Sequence, residues 1–258
     1  MNTITELFAS SRTVLGTWTQ MSAPEAIDIL GGASFDFTII DAEHGSFGME
    51  SVENLIRACD AAKIIPIVRV PTNEQMHITR ALDAGAAGVI VPGVRSCEEA
   101  ERAIMGRNFA PAGDRGACPC VRAGGHWAPD WANYVARQER DTGIIILAET
   151  PGALADIEAI CALPGLMALM IGPFDLSVAL GRNGDCLHPD VVNAIRRMIS
   201  AANTHSVPII MPVFAPDLLE TQRQIANWKE QGIQVFTVGT DKILFYTQCS
   251  QFVRALLT

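Results

Sequence analysis

The sequence alternates two kinds of segment, and this alternation limits the fold more than any single residue does. Short apolar runs occupy residues 14–20, 35–40, 64–70, 88–94, 143–148, 166–171, 208–213 and 234–239. Most are rich in Ile and Val and lack polar alternation, the pattern of strands buried on both faces of a parallel sheet. Between them lie helical patterns over residues 50–62, 73–84, 96–107, 153–163, 188–203 and 216–231. Thr72 and Ser96 stand where N-caps are wanted, and Gly85, Gly165 and Gly232 follow helical runs, where a left-handed C-cap is favoured. Eight strands alternating with helices over 258 residues predict an α/β protein, a single (β/α)8 TIM barrel spanning residues 1–258. A doubly wound open sheet competes with it. That fold usually has fewer strands and often a glycine-rich first turn, and none follows residues 14–20.

Two spacings depart from the rhythm. About 50 residues separate the fourth run from the fifth, including a stretch from Gly113 to Gly125 dense in Gly and Pro. Such an excursion is expected on the face where the preceding strand ends, the face that usually builds a barrel's active site. The other departure is a helical run over residues 241–257, after the last strand.

Composition narrows the classes of function. Nineteen basic and 28 acidic residues leave a net charge of −9, which argues against a general nucleic-acid or anionic-membrane binder. No apolar stretch approaches the roughly 18 residues of a membrane span. The first residues lack a basic segment followed by an apolar core, so no secretory signal is expected. Of the seven cysteines, only Cys118 and Cys120 lie close, one residue too tight for a C-x-x-C motif. Reduced thiols in a cytoplasmic protein are the expectation.

In a barrel, polar residues just past a strand's last apolar position point into a shared mouth. Here they are Asp41-Ala42-Glu43-His44, Arg69, Glu149, Gly172-Pro173-Phe174-Asp175 and Gly239-Thr240-Asp241. Asp175 has a plainer reading as a helix cap, His44 as a structural histidine, and Arg69 as the ion-pair partner of Asp41. Glu149 follows five largely apolar residues, where an unpaired carboxylate is expensive and calls for a metal or another cation. Glu149 and Asp175, at adjacent strand ends, form an oxygen-donor pair suited to Mg²⁺ or Mn²⁺. Such an ion can chelate a 2-oxo acid and stabilise its enolate, with Arg69 adding charge to the same oxygen and His44 moving a proton. A Schiff-base lysine is the other route to carbonyl chemistry. Of Lys63, Lys229 and Lys242, two fall at the wrong strand end and the third opens a helix. The loops after the last two strands carry too little glycine for a phosphate cradle, so an unphosphorylated substrate is expected.

Taken in order, Asp41-Ala42-Glu43-His44, Val68-Arg69-Val70-Pro71, Leu82-Asp83-Ala84-Gly85-Ala86, Glu149-Thr150 and Ile171-Gly172-Pro173-Phe174-Asp175-Leu176-Ser177 give a recognisable series. From about Leu15 onwards, the chain resembles the HpcH/HpaI family of class II, metal-dependent pyruvate aldolases. The resemblance implies Glu149 and Asp175 as ligands of a divalent metal (Mg²⁺, Mn²⁺ or Co²⁺) and Arg69 as the group stabilising a pyruvate enolate. It further implies His44 as acid/base supported by Asp83, and a pyruvate carboxylate held by main-chain amides near Gly172 and Asp175. The reaction implied is cleavage or formation of 4-hydroxy-2-oxo acids, in a homohexamer whose last helix is exchanged between subunits. Two positions depart from the pattern. Leu147 replaces the Gln or Met common two residues before the ligand Glu, and Cys118 stands where glycine is usual. Relatives on this scaffold include a citrate-forming synthase of siderophore pathways that condenses oxaloacetate with acetyl-CoA, which is the alternative. Its anionic substrates would suit Arg115 and Arg122. A barrel kept only for binding would be expected to lose Arg69, Glu149 or Asp175, and all three are present.

Overall fold

Each of the eight apolar runs forms a strand in the computed structural model, which describes residues 3–257. The strands are β1 (Val14–Thr19), β2 (Phe37–Asp41), β3 (Ile65–Arg69), β4 (Gly88–Val91), β5 (Gly143–Ala148), β6 (Leu166–Ile171), β7 (Ile209–Val213) and β8 (Val235–Thr240). All pair in parallel in sequence order, and β8 returns to β1, closing a (β/α)8 barrel. The helices are α1 (Ile4–Phe8), α2 (Pro24–Gly32), α3 (Met49–Ala62), α4 (Gln75–Ala84), α5 (Cys97–Met105), α6 (Trp131–Asp141), α7 (Pro151–Ala155), α8 (Ile157–Cys161), α9 (Pro173–Ala179), α10 (Pro189–Thr204), α11 (Leu218–Lys229) and α12 (Asp241–Leu257).

Two apolar layers separate along the strands with a period of two. Ile40, Val68, Val89, Ile144, Ile146 and Leu169 face outward and join the helices in the larger core. Phe37, Ile39, Ile65, Ile67, Ile145, Leu147 and Met170 face inward and fill the barrel. Ile4, Leu7 and Phe8 of α1 belong to the same inner core, with Phe8 edge-on to Phe37 at 5.9 Å. At Gly16 a Cβ would come within 2.3 Å of the Phe37 ring, so the inner layer needs glycine there.

Several local expectations change. Thr72 does not cap α4; Glu74 occupies that position without a side-chain bond, and the Thr72 hydroxyl faces His77 Nδ1 at 3.0 Å instead. The single helix expected over residues 153–163 is two short helices that meet at Asp156. Asp156 is drawn away to accept the Cys97 amide at 2.9 Å. Ser96 caps α5 as expected, and Gly85, Gly165 and Gly232 all take positive φ. The excursion between β4 and β5 contains α6 and has its own small core of Phe109, Ala128 and Tyr134, against which Trp131 packs.

Candidate active site

Inward periodicity builds the site. The columns Phe37–Ile39, Ile65–Ile67 and Ile145–Leu147 each step two residues further to Asp41, Arg69 and Glu149, placing all three at the C-terminal mouth. Asp41 and Arg69 are register partners on β2 and β3. Their side chains close a bidentate pair, Nε to Oδ1 at 2.9 Å and Nη2 to Oδ2 at 2.8 Å. Arg69 Nη1 reaches Glu43 Oε2 at 3.0 Å, and the guanidinium stacks over Trp18 with Cζ 4.5 Å from the ring centroid. Trp18 is held by its own indole bond to Thr237 Oγ1 at 3.2 Å. Two carboxylates and an aromatic face therefore fix the guanidinium in one plane.

Asp41 also organises the next turn. Its Oδ1 accepts the amides of Glu43 and His44, both at 3.2 Å, and its carbonyl accepts the Gly45 amide at 2.9 Å. A Cβ at residue 45 would lie 2.2 Å from that carbonyl, so glycine is required and His44 is left exposed at the rim. Burial pushes the Asp41 carboxyl up, but Arg69, the Gln20 amide and the His44 N–H outweigh it and hold the group below its ordinary range.

Glu149 is different. Its Oε1 accepts the Gly93 amide at 2.8 Å, and none of the salt bridges in the described residues reaches it. Burial, helped by the charges of Asp175 and Glu43 and opposed by the Gly93 bond and Arg69, pushes its pKa up to about 7. Glu43 is likewise raised, mainly by burial. Asp175 sits exposed in the first turn of α9, with Gly172 as the N-cap. Asp41, Glu43 and Glu149 thus gather about one guanidinium, Asp175 acts on Glu43 and Glu149 through its charge, and the mouth is short of positive charge. A hard divalent cation fits this donor set. Among the described residues no group of three or more His, Cys, Asp and Glu is arranged to hold a metal.

Close packing behind Glu149 gives a test. A Cβ at residue 172 would lie 2.6 Å from Glu149 Cβ and 3.1 Å from its Oε2. Gly172→Ala is therefore expected to displace that carboxylate, and if Glu149 holds a divalent ion, to weaken Mn²⁺ binding by roughly tenfold or more. Isothermal titration against wild type checks it, and an unchanged affinity would remove Glu149 from the metal site.

Not every predicted residue joins the mouth. The Gly172 amide is spent on the Ala148 carbonyl at 3.1 Å and is not free for a ligand. Because Pro173 lacks an N–H, the first-turn donors of α9 are the amides of Phe174 and Asp175. Phe174 is 62% exposed, with its ring against Gly184. The Arg115 side chain is fully buried, bonded to Asp83 Oδ1 at 2.7 Å and Gln138 Oε1 at 3.0 Å, with its Cζ 4.5 Å from the Phe109 ring centroid. Arg122 binds Asp60 and the Ala84 carbonyl at 2.8 Å, tying the excursion to α3 and α4. Both arginines hold the excursion in place, and neither meets the carboxylate cluster. Asp83 Oδ1 accepts from Arg115 at 2.7 Å, which places Asp83 beside the excursion. Trp18 and Gln20 escaped the sequence reading because both sit in an otherwise unremarkable first run. Leu147 lies just below Glu149 in the inner column and touches the space beside Gly172. A cleft of about 570 Å³ between the loops after β3 and β4 flanks the mouth, with Glu43, Gly93 and Arg95 on its wall.

The sequence profile of the HpcH/HpaI aldolase/citrate lyase family matches residues 14–246. The chain belongs to this family. It is 32% identical over 237 residues to a 5-keto-4-deoxy-D-glucarate aldolase of Shigella dysenteriae serotype 1, covering 92% of this chain and 90% of that protein. A solved HpcH/HpaI aldolase/citrate lyase family protein of Burkholderia cenocepacia J2315 superposes with a TM-score of 0.90 at 28% identity, over 98% of both chains. The citrate synthase SbnG gives a TM-score of 0.87 at 26% identity, over 98% of this chain and 96% of that one. As a family member the chain is an enzyme of aldolase type, a carbon–carbon lyase.

Proposed function

We propose that this HpcH/HpaI enzyme is a divalent-metal-dependent aldolase that cleaves or forms 4-hydroxy-2-oxo acids through the enolate of pyruvate. One observation carries the reading: a guanidinium pinned on three sides stands near a half-buried carboxylate, Glu149, that no salt bridge reaches among the described residues. Glu149 and Asp175 are the residues to hold the ion, with Mg²⁺, Mn²⁺ and Co²⁺ as candidates. Bound there, such an ion supplies Lewis-acid polarisation of a 2-oxo acid's carbonyl. Arg69 directs its remaining donor capacity at the oxygen where negative charge grows. His44, exposed at the rim, gives or takes the proton on the acceptor oxygen. The amides of Phe174 and Asp175 suit the substrate carboxylate, and Pro173 and Gly172 fix the turn that presents them. Asp41 positions Arg69 through its two hydrogen bonds to the guanidinium, which help hold its carboxyl below the ordinary range.

The named activity of the Shigella relative makes 5-keto-4-deoxy-D-glucarate the first compound to test, with pyruvate release followed by a lactate dehydrogenase couple. Metal-dependent pyruvate release supports the reading, and its absence with this and other 4-hydroxy-2-oxo acids counts against it. The likeness to a citrate synthase favours one second reading, condensation of oxaloacetate with acetyl-CoA. Thiol release from acetyl-CoA that depends on oxaloacetate would decide for it.

We place the enzyme in the cytoplasm. All seven cysteines are free, and no helix among the described residues is long and apolar enough to cross a membrane. The assembly is a homohexamer held in part by α12. That helix buries only Asp241 while Phe245, Tyr246, Phe252, Val253, Leu256 and Leu257 are each more than half exposed. So much apolar surface is a liability for a lone chain. Phe252→Glu with Leu256→Glu is expected to lower the mass measured by sedimentation from about six times the 27.7 kDa chain towards smaller species. A wild-type monomer would contradict the assembly.

A further inference from the structure

Asp241 lies at the same end of the barrel as Arg69 but takes no part in the chemistry proposed above. It is only 5% exposed, and no salt bridge reaches it among the described residues. Its carboxylate instead accepts main-chain amides. Oδ2 takes Gln20 N and Met21 N, both at 2.9 Å, and Oδ1 takes Lys242 N at 2.7 Å. Hydrogen bonds of this charge-assisted kind are strong and short.

The place where they act is where the sheet gives way. Between β1 and β8 the pairing is regular from Val14 to Gly16 and then slips, with Trp18 opposite Thr240. Beyond that slip, the Asp241 carboxylate holds the chain as it leaves β1. The same short stretch supports the catalytic pair from two sides. Trp18 places its ring under the Arg69 guanidinium, and Gln20 Nε2 donates to Asp41 Oδ2 at 2.8 Å. Asp41 in turn holds Arg69 by two bonds.

We infer that Asp241 is a positioning residue, which fixes the end of β1 so that Gln20 and Trp18 hold the Asp41–Arg69 pair in its reactive orientation. The inference rests on the reading of Arg69 as the group that stabilises the enolate. It also puts the first residue of α12 in line with the reacting centre, one amide and the Gln20 side chain away from Asp41.

The test uses the full-length enzyme with Mn²⁺ and reads hydrogen exchange at the pyruvate methyl in deuterated buffer. Asp241→Asn and Gln20→Leu are each expected to slow exchange roughly tenfold with KM for pyruvate little changed, because a misaligned donor costs most in the transition state. The double variant is expected to be no slower than Asp241→Asn alone, since coupled residues in one network are not additive. In an Arg69→Lys background, Gln20→Leu is expected to cost nothing further. If Asp241→Asn does not yield folded protein, Asp241→Glu, which keeps the carboxylate but displaces it by one methylene, is read in its place. Wild-type rates in the single variants, or losses that multiply in the double variant, would overturn the inference. Exchange missing from the wild type itself would overturn the pyruvate reading and, with it, this one. Exchange present in the wild type but indifferent to Gln20 and Asp241 would sink the positioning role alone.

Discussion

Replacing Arg69 by lysine is expected to lower kcat by about two to three powers of ten while the protein remains folded. Arg69 spends Nε and Nη2 on Asp41 and Nη1 on Glu43 while its plane lies on Trp18. Lysine keeps the positive charge near the two carboxylates but cannot present a planar fork. The donor aimed at the developing oxyanion is lost, and the cost falls on the transition state. Alanine is a poorer probe, since it would leave the fully buried Asp41 without a cation and cost folding roughly 3–5 kcal/mol. Steady-state kinetics with a melting curve separates the two effects. A lysine variant within a few-fold of wild-type kcat would remove Arg69 from the chemistry.

The second large effect concerns Glu149. Its carboxyl holds a proton up to about pH 7, against an ordinary value of 4.5, chiefly because it is buried beside Asp175 and Glu43. A proton bound more tightly in the folded chain favours folding at low pH, and that benefit is lost as the pH rises through about 7. A metal ion needs the ionised form and therefore competes with the proton. Mn²⁺ affinity is expected to fall about tenfold per pH unit below 7 and to level off above it. The rise in melting temperature on adding Mn²⁺ is correspondingly larger at pH 8 than at pH 6. Glu149→Gln is expected to abolish both the pH dependence and the metal-stimulated activity, by at least about 10³-fold. Titration calorimetry across that range checks the pair of claims. An affinity flat with pH, or a glutamine variant that still needs and binds Mn²⁺, would contradict them.

Much of this was legible in the residues, and the exceptions have physical causes. Strand positions followed from Ile- and Val-rich runs, because a parallel strand under helices must be apolar on both faces. That same property concealed which face was which. Inner and outer columns are equally aliphatic, so Trp18 and Gln20 carried no signal that they pointed at the mouth. Asp41, Arg69 and Glu149 stood out because polar groups ending such runs are expensive unless used. α6 was hidden by its polarity, since only Tyr134 and Gln138 along it are buried. Arg115 and Arg122, beside a Gly-rich stretch, resembled an anion site. A guanidinium can just as well hold a loop to a helix, and sequence spacing alone cannot tell Asp83 and Asp60 from a ligand as its partner. For Asp83 the partner the fold supplies within the chain is Arg115, more than 30 positions away, which spacing alone does not reveal.

The most direct test of the account is proton exchange at the pyruvate methyl in deuterated buffer, followed by NMR with and without chelator. The expected result is exchange that EDTA abolishes and that Mg²⁺ or Mn²⁺ restores. Exchange is also expected to be lost in Glu149→Gln under all three conditions. No exchange with metal present, or exchange that survives EDTA, would contradict metal-dependent enolate formation at this site.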